Sequence, residues 1–126
     1  MKASSTVLLF CAIAVASFSA HAQRSGATIG ADNAQGFIGK DATVCGKVES
    51  ARYNENSDGQ PTFMHMGGKF PAHKFSIRIM GDNRAKFDPA PDTLVGRTVC
   101  VTGRVGRAAG NRPEMTIAEP GELTLL

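Results

Sequence analysis

The stretch RTVCVTGRV, residues 97–105, alternates strictly, with Val99, Val101 and Val105 on one face and Thr98, Cys100, Thr102 and Arg104 on the other. A period of two marks a half-buried β-strand. Its near echo lies upstream in ATVCGKVES, residues 42–50, where Val44, Gly46 and Val48 alternate with Thr43, Cys45, Lys47 and Glu49. Each stretch carries a cysteine among the outward residues and a glycine among the inward ones.

Working outward, the same pattern recurs three more times. TFMHMGGKFP (62–71) sets Phe63 and His65 against Met64 and Met66 and ends at the Gly67-Gly68 break. KFSIRIM (74–80) directs Phe75, Ile77 and Ile79 inward, with Ser76, Arg78 and Met80 outward, and EMTIAE (114–119) is a last short strand. The connections are rich in turn formers: NENSDGQP (54–61), GDNRAKFDPAPDTLVG (81–96) and GRAAGNRP (106–113). A short helix over Asn83–Phe87 is the most that the second of these supports. Five short strands without a strong helix predict an all-β chain that curls into a small five-stranded barrel to hide its edges.

The N-terminus reads as a separate unit. MKASSTVLLFCAIAVASFSAHAQ has a basic start at Lys2, an apolar run from Val7 to Ala20, and Ala20-His21-Ala22 before Gln23, the form of a secretory signal with its cleavage site. The apolar run is too short for a spanning helix, so no membrane anchor is expected after cleavage. Residues 1–22 are assigned to the signal peptide, 23–36 to a lead-in that is flexible or forms a short helical turn, and 37–126 to one domain. The expected location is periplasmic or secreted.

Removing the signal takes Lys2 with it and leaves 13 basic residues against 11 acidic. So small an excess carries no global polyanion footprint, although it leaves room for a local one. Aromatic platforms are scarce by composition, at seven Phe, one Tyr and no Trp. Cys11 leaves with the signal, which leaves Cys45 and Cys100. In an oxidising compartment such a pair reads first as a disulfide, since no C-x-x-C supports a redox or metal role.

Together, V-x-G-x-V in the first strand and VGRTVCVTGRVGRAAGNRPEMTI (95–117) resemble the OB-fold, and more specifically nucleic-acid-binding OB domains of the anticodon-binding type. The resemblance covers residues 42–119. It implies that strands one and four are antiparallel neighbours, which makes a Cys45–Cys100 cross-strand bridge on the outside sterically reasonable. It also implies a ligand across strands two and three and the adjoining loops. On that basis Arg52 and Tyr53 in the first long loop, Lys74, outward Arg78, and Arg107 with Arg112 around the last hairpin are the candidate ligand-binding residues. The expected partner is single-stranded nucleic acid or another extended polyanion, bound by phosphate contacts with limited stacking.

Two competing readings use the same residues. Export favours an envelope interaction module that docks a protein or glycan with no nucleic acid involved. Met64, Met66 and His73 are donors that suit Cu(I), and the small exported copper carrier of copper efflux pumps is an OB-type barrel with a Met, Met, His and Trp site. This chain has no Trp, and inward methionines are expected to fill the core. No G-x-S-x-G, H-E-x-x-H, paired-carboxylate or complete phosphate-loop motif is present, so a binding protein without a cofactor is expected rather than an enzyme.

Overall fold

The computed structural model describes residues 26–126. The segment read as a signal peptide, residues 1–22, and the first residues of the lead-in therefore lie outside the described residues. From Gly26 the chain forms β1 (Ala27–Gly30), β2 (Asp41–Tyr53), β3 (Thr62–Met66), β4 (Phe75–Ile79), the single-turn α1 (Gly81–Arg84), β5 (Thr98–Arg104), β6 (Gly106–Ala108), β7 (Arg112–Thr116) and β8 (Leu123–Leu125). The strands join in one sheet ordered β6-β7-β4-β3-β2-β5-β8, with β1 parallel to the start of β2.

The chain is mostly β, but the expected five-stranded closure is replaced by an open ladder of eight strands. The fourth strand of the sequence reading breaks at Val105 into β5, beside β2, and β6, beside β7. At the break the buried Val105 leaves the ladder: its N–H donates to the Lys40 carbonyl at 2.9 Å and its carbonyl accepts from Gly39 N–H at 2.7 Å. The bend therefore costs no backbone hydrogen bond. Meander strands β2, β3 and β4 are antiparallel, whereas β4 and β7 run parallel.

The inward sets of the alternation form the core. Val44, Val48, Met64, Met66, Phe75, Ile77, Ile79, Val99, Val101, Val105, Met115 and Ile117 are all essentially inaccessible. The two echoing stretches pair directly, with Cys45 opposite Cys100 and their sulfurs bonded, at a Cα separation of 4.0 Å. Their glycines have a common role as well. A Cβ on Gly46 would lie 3.4 Å from Met66 Sδ, and one on Gly103 would lie 3.4 Å from Met115 Sδ. Each glycine makes room for a methionine laid over it. A Cβ alone would sit in contact with the sulfur, whereas the two γ-carbons of a valine would crowd it, and Gly103→Val is expected to cost about 1–3 kcal/mol in urea unfolding.

Besides the break at Val105 and the additional C-terminal strand β8, two segments differ from the pattern read in sequence. Residues of the lead-in carry β1 and a 3-10 turn over Ala31–Phe37, which buries Ala31 and Ala34 against the core. The small side chains of this stretch let its backbone approach the sheet closely. In the 81–96 connection the helix starts two residues early and stops at Arg84. Phe87 and Leu94 then turn inward, and Gly96 and Arg97 exchange backbone bonds with Val48.

Candidate functional site

A β-bulge decides which side chains reach the face of the sheet away from the core. Along the first part of β2 the even positions 42, 44 and 48 point inward. The register with β3 then shifts between Val48 and Ser50, so that Ser50 faces His65, Ala51 faces Met64 and Arg52 faces Phe63. One extra residue, Glu49, reverses the alternation. Ser50 and Arg52 consequently join His65 and Phe63 on the side of the sheet away from the core, and Tyr53 turns over.

On that side lies a concavity of about 470 Å³, floored by β2, β3 and β4 and walled by the 67–73 connection and the β6/β7 hairpin. Four flat rings gather in it. The Phe63 and His65 rings are near parallel, at 13° and 6.4 Å between centroids. His65 also packs against Phe70 at 5.3 Å and His73 at 4.4 Å, and Phe70 stacks on His73 at 5.6 Å and 21°. Phe70 is 60% exposed, an unusual position for a large apolar ring held in place by its neighbours. Arg52 and Arg112 stand at opposite sides, on β2 and β7, and Glu114 supplies a carboxylate.

Hydrogen bonds orient the histidine rings. Phe70 N–H donates to Ser50 Oγ at 3.0 Å, and Ser50 Oγ lies 2.9 Å from His65 Nδ1. The serine oxygen thus joins the His65 ring to the backbone of the 67–73 connection and fixes the ring's orientation. Arg112 Nη1 approaches both ring nitrogens of His73, at 3.2 and 3.3 Å, and a guanidinium acts there only as donor. Burial, then the neighbouring charges of His73 and Arg112, push His65 down to about 4, against the upward pull of Ser50. His73 is lowered by burial and then by Arg112. Both rings are neutral at pH 7. They offer flat faces and neutral hydrogen-bonding groups rather than cations.

The six candidate ligand residues scatter. Arg52 and Arg112 line the concavity, but Arg52 does so from β2 and not from a loop. Tyr53, also in β2, lies under the Arg84 guanidinium at 4.0 Å, and Arg84 is held in turn by Asp92 at 2.7 Å. That ring is therefore covered and does not stack in the concavity. Lys74 pairs with Asp32 at 3.1 Å. Arg78 pairs with Glu114 at 3.4 Å and donates to Thr116 Oγ1 at 3.0 Å. Arg107 lies in a separate groove. Met64 and Met66 are in the core while His73 is on the far side of the sheet, so these three do not converge. Among the described residues no cluster of three His, Cys, Asp or Glu sits at metal-ligand spacing.

Phe63, His65 and Phe70 were not among the candidates read from the sequence. The shared face of Phe63 and His65 in TFMHM was the available signal. Nothing local indicated that Phe70 and His73, from an irregular segment, fold back over that face.

No protein-family model and no curated protein matches the chain. Among solved structures its fold is similar to a putative aspartyl-tRNA synthetase from Leishmania major Friedlin, with a TM-score of 0.50 and 11% identity, over 84% of this chain and 22% of that one. At that identity the likeness concerns the fold alone, and this chain spans about a fifth of that protein's length.

Proposed function

We propose that this is an exported binding module of OB type whose concave face holds single-stranded nucleic acid. The observation that carries the reading is the ring cluster Phe63, His65, Phe70 and His73 flanked by Arg52 and Arg112. Unpaired bases present flat faces that stack on such rings whatever their sequence, and two arginines at the rim meet the phosphates between them. The meander β2-β3-β4, the return of β5 against β2 and the parallel β4/β7 pair support the OB assignment, as does the fold likeness to a tRNA synthetase. The signal-type N-terminus supports export, and the Cys45–Cys100 bridge is compatible with an oxidising compartment. A docking role toward an envelope protein or glycan uses the same face without the bases.

The test is fluorescence anisotropy of a labelled oligothymidylate and a labelled sulfated glycan against the purified protein over a salt series. Oligothymidylate is expected to bind more tightly than the glycan, with affinity falling as salt rises. Phe70→Ala is expected to weaken oligonucleotide binding about tenfold, the value of one lost base stack. Arg52→Ala with Arg112→Ala is expected to reduce the slope of log affinity on log salt by about 1.4, two phosphate contacts. Equal binding of oligonucleotide and glycan, unaffected by Phe70→Ala, would overturn the reading in favour of an envelope docking face.

A further inference from the structure

A second groove, of about 280 Å³, lies where β4, β5 and the β6/β7 hairpin meet, and it is lined by Arg78, Arg104, Arg107, Glu114, Thr116 and Glu122. Its charges are unequally committed. Glu122 Oε1 accepts from Ala118 N–H at 3.0 Å and Glu119 N–H at 2.9 Å, which caps the turn before β8. Glu114 is engaged by Arg78 at 3.4 Å, and its burial holds the carboxyl above its ordinary range despite that arginine. Arg104 and Arg107 are exposed and form no ion pair among the described residues, although Asp41 is opposite Arg104 in the β2/β5 register. The groove thus has two uncommitted guanidinium groups beside carboxylates already in use.

Glu114 lines both this groove and the ring-lined concavity. The two depressions are therefore neighbours, divided by the Arg78–Glu114 pair. A planar guanidinium is suited to bidentate phosphate contacts, whereas the groove contains no aromatic ring on which a base would stack.

We propose that the Arg78–Arg104–Arg107 groove is a phosphate-binding track that takes the sugar-phosphate backbone of a strand whose bases occupy the concavity, the strand passing over the Arg78–Glu114 ridge. This inference rests on the nucleic-acid reading above and adds a length requirement to it. A short strand fills the concavity alone, and a longer one gains the arginines.

The experiment compares oligothymidylates of about four and about twelve nucleotides, both within the site sizes of single OB folds, on the wild type, Arg104→Gln/Arg107→Gln and Arg104→Lys/Arg107→Lys. Melting curves of all three verify the fold. In the glutamine variant the long strand is expected to lose about tenfold in affinity at low salt and about 1.4 in salt slope, with the short strand unchanged within about twofold. The lysine variant is expected to retain the slope. An unchanged long strand, or equal losses for both lengths, would overturn the track while leaving Phe70-dependent binding of the short strand intact. Failure of both lengths to bind the wild type would overturn the nucleic-acid reading and the track together.

Discussion

Reduction of the Cys45–Cys100 bond is expected to lower the unfolding free energy by about 4 kcal/mol, the chain-entropy value for a closed loop of this length. The two cysteines are 55 positions apart and face each other across the central β2/β5 pair. Opening the bridge releases that whole loop in the unfolded state and removes few native contacts. Against the 5–15 kcal/mol that holds a typical small domain, this is a large share. Urea unfolding with and without reductant measures it directly. Cys45→Ala/Cys100→Ala is expected to match the reduced wild type and to be insensitive to reductant. A loss below about 1 kcal/mol in both would show that the ladder holds itself without the bond.

Acidification is expected to destabilise the protein by roughly 3 kcal/mol through His65 alone. The folded-state value of this ring is about 4, below its ordinary 6.5, because burial and the charges of His73 and Arg112 disfavour the imidazolium. Between those two values the unfolded chain holds more protons than the folded one. Stability therefore rises with pH across that window, is complete above pH 6.5, and is lost as pH falls toward 4. His73 acts in the same direction, from burial and Arg112. Glu114, raised by burial, acts in the opposite direction: its contribution is present at low pH and is lost as pH rises through its folded value. The groups facing His65 are Ser50, Phe63, Phe70, His73 and Arg112. Urea unfolding at pH 7.5, 5.5 and 4.5 should show the decline in the wild type. His65→Asn keeps a hydrogen-bonding partner for Ser50 and has nothing to titrate, so its decline should be much shallower; an identical slope would remove His65 as the source. The folded ring stays neutral until about pH 4, so oligonucleotide affinity should gain nothing from His65 through most of this window while the protein stays folded.

Several features were legible in the residues themselves. The period of two in 42–48, 74–80 and 97–105 identified the inward valines, isoleucines and Phe75, and these residues form much of the core. The runs of Asn, Asp, Gly and Pro at 54–61 and 81–96 marked the connections. The matched cysteines pointed to the bridge that is present. These are local facts, since side-chain alternation and turn chemistry act over a few neighbouring residues.

The site itself was a matter of pairing. Glu49 is an extra residue only relative to β3, so no inspection of β2 alone reveals that Arg52 and Ser50 turn outward and Tyr53 turns away. A count of aromatic residues made stacking surfaces look scarce, yet Phe63 and Phe70 meet two histidines on one face because the 67–73 segment folds back over β3. Free charge was likewise decided at a distance, where Asp32 engages Lys74 and Glu114 engages Arg78 from elsewhere in the chain. The sequence by itself determined the central strands, the buried faces of 42–48, 74–80 and 97–105 and the residues available for a bridge, because each depends on short-range periodicity, whereas β1, β8 and the split into β5 and β6 were not legible there. Tertiary structure alone decided the register beyond the bulge, the open ladder at Val105 and the assembly of the ring-lined concavity, because each depends on which distant strand supplies the partner.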